Sequence, residues 1–168
     1  MSHLEPGWYY LINVKHARGK GADSTENLRS IGPEVAAMDL SGGDQQSIIA
    51  FGWHGGDNQK WEFRPAEDGL YHIRNGSGEA YITFPDDAND GKQVIVTNGP
   101  RPWEVRIGHE GHNDRDEQPS IRIFVPGTNK NLDLKDHGDV TAGNIVQLWE
   151  RTPGQGQAWY FIPTDPPQ

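Results

Sequence analysis

The sequence predicts an all-β, closed architecture of pseudo-threefold symmetry, built from twelve short strands. Three observations carry that prediction. A long pattern occurs twice, from Asp39 to Trp61 and from Asp133 to Trp159. Each copy has an apolar-Asp-Leu strand end, a Gly-rich turn, an apolar run, a polar loop and a closing Gln-x-Trp. A third closing tryptophan, Trp103, lies between them, and no window shows sustained helical periodicity, so helices are expected only as single turns.

The strands follow in order. Gly7–Val14 is rich in aromatic and β-branched residues. Lys15–Glu34 is polar, Gly-rich and basic at its start, and reads as a long surface loop. Strands are then expected at 35–40, 47–53 and 60–64. Gly69–Asn75 resembles Gly7–Asn13 and opens a second unit, with further strands at 79–84, 93–97 and 103–107. After the polar linker Gly108–Pro119, a third unit supplies strands at 120–124, 130–134, 145–149 and 158–162. The expected organisation is one domain over residues 1–168, with repeats at about 7–65, 69–107 and 120–163 and a Pro-rich tail at 164–168. A four-stranded unit cannot bury its apolar face alone, so the three must share a core that includes Trp61, Trp103 and Trp159.

Composition narrows the function. The 33% hydrophobic share is low and Gly and Pro are frequent, but the six Trp, five Tyr and five Phe lie in spaced apolar runs, which argues against disorder. A net charge of −9 disfavours nucleic acid and anionic membranes. The chain has no cysteine, hence no disulfide and no thiol nucleophile. The start of the chain does not read as a signal peptide and no apolar run reaches membrane-span length, so a cytoplasmic or non-classically released protein is expected.

The paired Gln59-Lys60-Trp61 and Gln157-Ala158-Trp159, each with an upstream Asp-Leu and a Trp-ended strand, resemble the ricin-B-type β-trefoil lectin family, and most of all its cytoplasmic mushroom members. The middle unit has Arg101-Pro102-Trp103 and keeps only the Trp. The resemblance spans about residues 7–162 and implies a β-trefoil with shallow sugar pockets. In such a pocket an Asp accepts from sugar hydroxyls, an aromatic ring stacks on the pyranose C–H face, and Asn and Gln complete the polar rim. Carried over by residue, the first unit offers Asp39 as acceptor, Trp53 as ring, Asn58 as amide partner and Gln59 as motif glutamine, with Phe51 where a polar Gln is common. The third offers Asp133, Gln147, Trp149 and Gln157, with Gly156 where Asn is usual. The middle unit places Ile82 at the Asp position and no ring near Thr97, so no ricin-type site is expected there.

The implied function is a non-catalytic lectin for neutral glycans, of galactose or N-acetylgalactosamine type by family resemblance, with glycoconjugates as partners and no cofactor. Two sites, or a homodimer, would raise avidity. The alternative is a β-trefoil protease inhibitor presenting Lys20 or Arg29 from the Lys15–Glu34 loop, although so Gly-rich a loop is poorly preorganised. His109-Glu110-Gly111-His112 has the wrong spacing for a zinc-protease helix, and no metal site is expected.

Overall fold

The computed structural model describes residues 3–108 and 118–168. Twelve strands follow in order: β1 (Gly7–Asn13), β2 (Ala36–Leu40), β3 (Ile48–Gly52), β4 (Trp61–Pro65), β5 (Tyr71–Asn75), β6 (Tyr81–Thr83), β7 (Ile95–Thr97), β8 (Glu104–Gly108), β9 (Ser120–Phe124), β10 (Lys130–Leu134), β11 (Val146–Glu150) and β12 (Trp159–Pro163). All pairings are antiparallel. β1 joins β12 and β4, β4 joins β5, β8 joins β9, and β9 joins β12. The ring closes where Tyr71 and Trp103 exchange backbone bonds of 2.9 and 2.8 Å. Closure leaves no long free edge. The hairpins β2–β3, β6–β7 and β10–β11 are tied to one another by the bridges Ser47–Ile95, Gln93–Gln147 and Ile49–Ile145. This is a β-trefoil.

Threefold equivalence can be read from hydrogen bonds. Trp61, Trp103 and Trp159 are fully buried, and their indole N–H groups donate to the carbonyls of Met38, Ile82 and Leu132. Each ring removes some 200 Å² from water, worth roughly 5 kcal/mol before chain entropy is subtracted. The three carbonyls fix the register. Asp39, Thr83 and Asp133, each one residue further on, therefore occupy one structural position. Thr83, not Ile82, stands where the terminal repeats carry Asp. The Ile82 side chain is core.

The Lys15–Glu34 stretch is not a loose loop. Helix α1 (Thr25–Ile31) runs beyond a single turn. Ser24 caps its start by accepting from Asn27 N at 3.0 Å, and Gly32, with φ of 34°, ends it just before Pro33. Leu28, Ala17 and Ala22 are buried with Tyr10, Ile12 and Tyr160 in a second apolar cluster on the barrel's outer side. Alternating residues of β1 thus serve two cores, Leu11 one and Ile12 the other. Arg29 sits exposed in the last turn of α1 and Lys20 in an exposed turn, neither on an extended segment of the kind a protease cleft accepts. The His109–His112 cluster lies outside the described residues.

Candidate functional site

The third repeat carries a pocket of about 540 Å³, with Asp133, Gln147, Trp149, His137, Gln157 and Lys15 among its walls. Register places Gln147 directly across from Asp133 and Trp149 across from Asn131. Gln147 Nε2 donates to Asp133 Oδ2 at 2.8 Å. Trp149 is 40% exposed. Its ring lies beside Gly91 of the middle repeat's loop. That loop is fastened to the third repeat by Lys130 Nζ on Asp90 Oδ1 (2.7 Å) and by Glu150 N donating to the same oxygen (2.9 Å). The ring is therefore backed on one side and open on the other.

Gln157 is buried and serves the frame. Its Nε2 donates to Glu150 O at 3.0 Å, and its Oε1 accepts from Thr152 N and from Arg122 Nη1, both at 2.8 Å. Burial pushes the Asp133 carboxyl above the usual carboxylate range. The bonds from Gln147 and Gln157 oppose this, as do the charges of His137 and Arg122. Gly156 has a steric reason. A Cβ there would meet the Gly138 backbone at 2.7 Å, because the left-handed turn Asp136-His137-Gly138 packs against it.

In the first repeat, Asp39 faces Ile49 and Ala37 faces Phe51. Phe51 is thus the counterpart of Trp149, and Ile49 that of Gln147. Two expectations are corrected. Trp53 is not the stacking ring. It is 8% exposed and packs edge-on to Tyr10 at 5.4 Å in the outer apolar cluster. Phe51 does not stand at the Gln position, but is itself the exposed ring, 43% accessible. The cause is the strand's end: β3 stops at Gly52, so Trp53 lies outside the pleat that would keep it on the face of Phe51, and it packs into the outer cluster instead.

Gln59 clamps this site. It donates to Asp39 Oδ2 (2.9 Å) and Gly52 O (3.0 Å), and accepts from His54 N (2.9 Å) and Gly55 N (3.3 Å). All its bonding capacity is used, so its role is to hold the frame. Asn58 donates to Leu40 O at 3.1 Å. His54 Nε2 comes within 3.6 Å of Asp39 Oδ2, and its ring meets Phe51 edge-on at 5.9 Å. Burial raises the Asp39 carboxyl too, opposed by Gln59, His54 and Asn58.

The structure thus brings together Asp133, Gln147, Trp149 and Gln157 in one repeat, and Asp39, Asn58 and Gln59 in the other. Phe51, His54, His137 and Arg122 were missed from sequence. Counting back from the motif glutamine would have found Phe51, because eight positions separate it from Gln59, as eight separate Trp149 from Gln157.

Fold and site together define a lectin-like β-trefoil, with an aromatic face beside a carboxylate in two of three repeats. The profile of the ricin-type beta-trefoil lectin domain-like family matches residues 57–149. A ricin B-like lectin of Macrolepiota procera, solved in complex with lactose, is 31% identical, with a TM-score of 0.75 over 96% of this chain and 99% of that one. The chain belongs to the ricin-type β-trefoil lectin family. The designed threefold protein ThreeFoil (20% identity, TM-score 0.68, 94% of this chain and 99% of that one) and the Rhizoctonia solani agglutinin (19%, 0.68, 96% and 97%) share the fold. No curated protein sequence matches this chain.

Proposed function

We propose that this protein is a non-catalytic lectin that binds neutral glycans of galactose or N-acetylgalactosamine type. The main site is the pocket at Asp133, Gln147 and Trp149. A lesser one lies at Asp39, Asn58 and Phe51. The observation that carries the reading is the open Trp149 face beside the Asp133–Gln147 pair, which offers a pyranose an apolar plate and convergent hydrogen-bonding groups. The lactose complex of the 31% identical relative supports the galactose preference, since lactose ends in galactose.

A charge-assisted bond to Asp133 contributes ~2 kcal/mol and a neutral bond ~1 kcal/mol, and a stacked ring adds ~1 kcal/mol. Binding costs rigid-body freedom, so a dissociation constant near ~1 mM, about −4 kcal/mol, is expected for a monosaccharide. The experiment is a glycan array on the whole protein, followed by calorimetry with lactose and Asp133→Ala. Retention of galactose-terminated glycans, lost in the variant, is the expected result. A protein that retains no glycan, or an unaltered Asp133→Ala profile, sinks the proposal.

A further inference from the structure

The middle repeat keeps the frame of the site and reverses its chemistry. Arg101 stands at the position of Gln59 and Gln157, two residues before the closing Trp, and Thr83 at that of the two aspartates. The linking bond survives, with Arg101 Nε donating to Thr83 Oγ1 at 2.8 Å, as Gln59 donates to Asp39. Nη2 also reaches Phe84 O at 3.3 Å, and the guanidinium lies 3.9 Å over the Phe84 ring. The acceptor carboxylate has given way to a hydroxyl, and the neutral amide to a donor cation.

Two further changes accompany the exchange. Only four positions separate Thr97 from Arg101, against eight in the other repeats, so the wall that His54–Asn58 builds in the first repeat is missing. The asparagines that pin those longer loops, Asn13 on Gly156 O and Asn75 on Asn58 O, both at 3.0 Å, have Val125 as their counterpart opposite Trp103. With the loop gone, its anchor is gone as well. Arg101 is left half-buried at the side of an open hairpin.

Arg101 has no ion pair among the described residues, whereas Arg64, Arg74 and Arg106 each face a glutamate. Its remaining N–H groups have no protein acceptor there. A guanidinium braced by a ring and two bonds is preorganised, so little rotamer entropy is lost when an anion docks on its free edge. Thr97 stands where Phe51 and Trp149 stand, so the ring that those two positions offer a neutral pyranose is missing. An anionic group would supply the missing energy through charge-assisted, two-pronged bonds.

We propose that the middle repeat is a saccharide site of a second kind, which takes a sugar bearing a sulfate ester or carboxylate on Arg101 and Thr83. It rests on the lectin reading only in taking the anion to be carried by a sugar. The test follows the Arg101 Nε–H resonance of the whole protein during separate titrations with galactose-6-sulfate, glucuronic acid, inorganic sulfate and galactose. The resonance is expected to move with the two acidic sugars and not with galactose, and less strongly with inorganic sulfate. Arg101→Gln is expected to weaken galactose-6-sulfate binding about tenfold or more, the scale of one lost charged bond, while lactose binding at Asp133 stays unchanged.

An Arg101 signal unmoved by every anion overturns the proposal, and equal affinity for inorganic sulfate and galactose-6-sulfate overturns its saccharide part. If Arg101→Gln does not fold, as thermal melting would reveal, Arg101→Lys replaces it. That variant keeps the charge but not the fork, and undiminished galactose-6-sulfate binding overturns the proposal. Lactose that fails to bind wild type, while Arg101 still responds to acidic sugars, removes the reading of the Asp133 pocket and upholds this one.

Discussion

Gln147 lies directly across the β10–β11 ladder from Asp133 and donates to its carboxylate at 2.8 Å; the same position across from Asp39 is Ile49. That single exchange makes the two terminal sites unequal. The third repeat has a carboxylate, an amide and an indole. The first has a carboxylate whose neighbours include His54, and a smaller phenyl ring. Asp133→Ala and Trp149→Ala are each expected to reduce lactose affinity about tenfold or more, a loss of ~1.4 kcal/mol. Asp39→Ala and Phe51→Ala should cost a few-fold at most. Calorimetry checks the order, and equal losses at the two sites would refute the ranking.

In the proposed function Asp133 binds sugar at a cost to stability. Burial raises its carboxyl in the folded state, opposed by Gln147, Gln157, His137 and Arg122. A carboxyl whose folded pKa is raised favours the fold when protonated, and that contribution is lost as pH rises through the folded value. At neutral pH the ionised group therefore works against folding. Asp133→Asn is expected to raise Tm at pH 7, by about 2–4 °C for each kcal/mol relieved in a chain of this size. The advantage should shrink as pH falls through the raised pKa of the wild type. Lactose binding should weaken in the wild type over the same interval, because the acceptor charge is being lost. Melting curves from acid to neutral pH decide the matter, and a Tm gain that grows on acidification would show the sign to be wrong.

The fold was largely legible because its signals are local and repeated. The expected strands 120–124 and 130–134 coincide with β9 and β10. Gln-x-Trp located two of the three buried indoles and spacing the third, Trp103; their role depends on apolar bulk at a fixed point of each unit. The frame of the candidate site was legible where a motif glutamine holds an aspartate, at Asp39 with Gln59 and Asp133 with Gln157. The rest was lost where a strand ends one residue early or where a slip of one changes the face. Trp53 was read as the ring because it ends the apolar run as Trp149 does, yet β3 stops at Gly52 and leaves the exposed position to Phe51. Ile82 was read for Thr83 through a slip of one. The helix at Thr25–Ile31 was missed because a single buried leucine gives no periodicity, and only the Ser24 cap and Gly32-Pro33 stop marked it.

Gly156 and Asn58 make a reciprocal pair of tests. Gly156→Asn would drive a Cβ into the Gly138 backbone, at 2.7 Å. The Asp136–Gly138 turn must then move, at a cost of ~1–3 kcal/mol, and lactose binding should fall with it because His137 lines the pocket. Asn58→Gly meets no such clash; it removes the bond to Leu40 O and the side-chain bond that opposes the rise of the Asp39 carboxyl, at about 1 kcal/mol each. Urea unfolding measures both. A neutral Gly156→Asn would mean that the turn yields more readily than its contacts imply.

The motif glutamines should also differ in their tolerance of charge. Gln59 Nε2 donates to Asp39 and to Gly52 O. In Gln59→Glu a second carboxyl would face Asp39 in a buried site, and a protonated glutamic acid has one donor where the amide had two. One proton must be held at neutral pH, or two like charges left together. A loss of ~3–5 kcal/mol is expected, the range for an uncompensated buried charge. Because the introduced carboxyl has a raised pKa in the folded state, the loss should lessen as pH falls through that value. Gln157→Glu is different, because Arg122 Nη1 already donates to Gln157 Oε1 at 2.8 Å and would neutralise the new carboxylate. Its cost should be the smaller of the two and less dependent on pH. Denaturant melts of both variants at pH 5 and pH 8 test this, and a larger loss for Gln157→Glu would remove Arg122 from the account of why one repeat needs a neutral clamp.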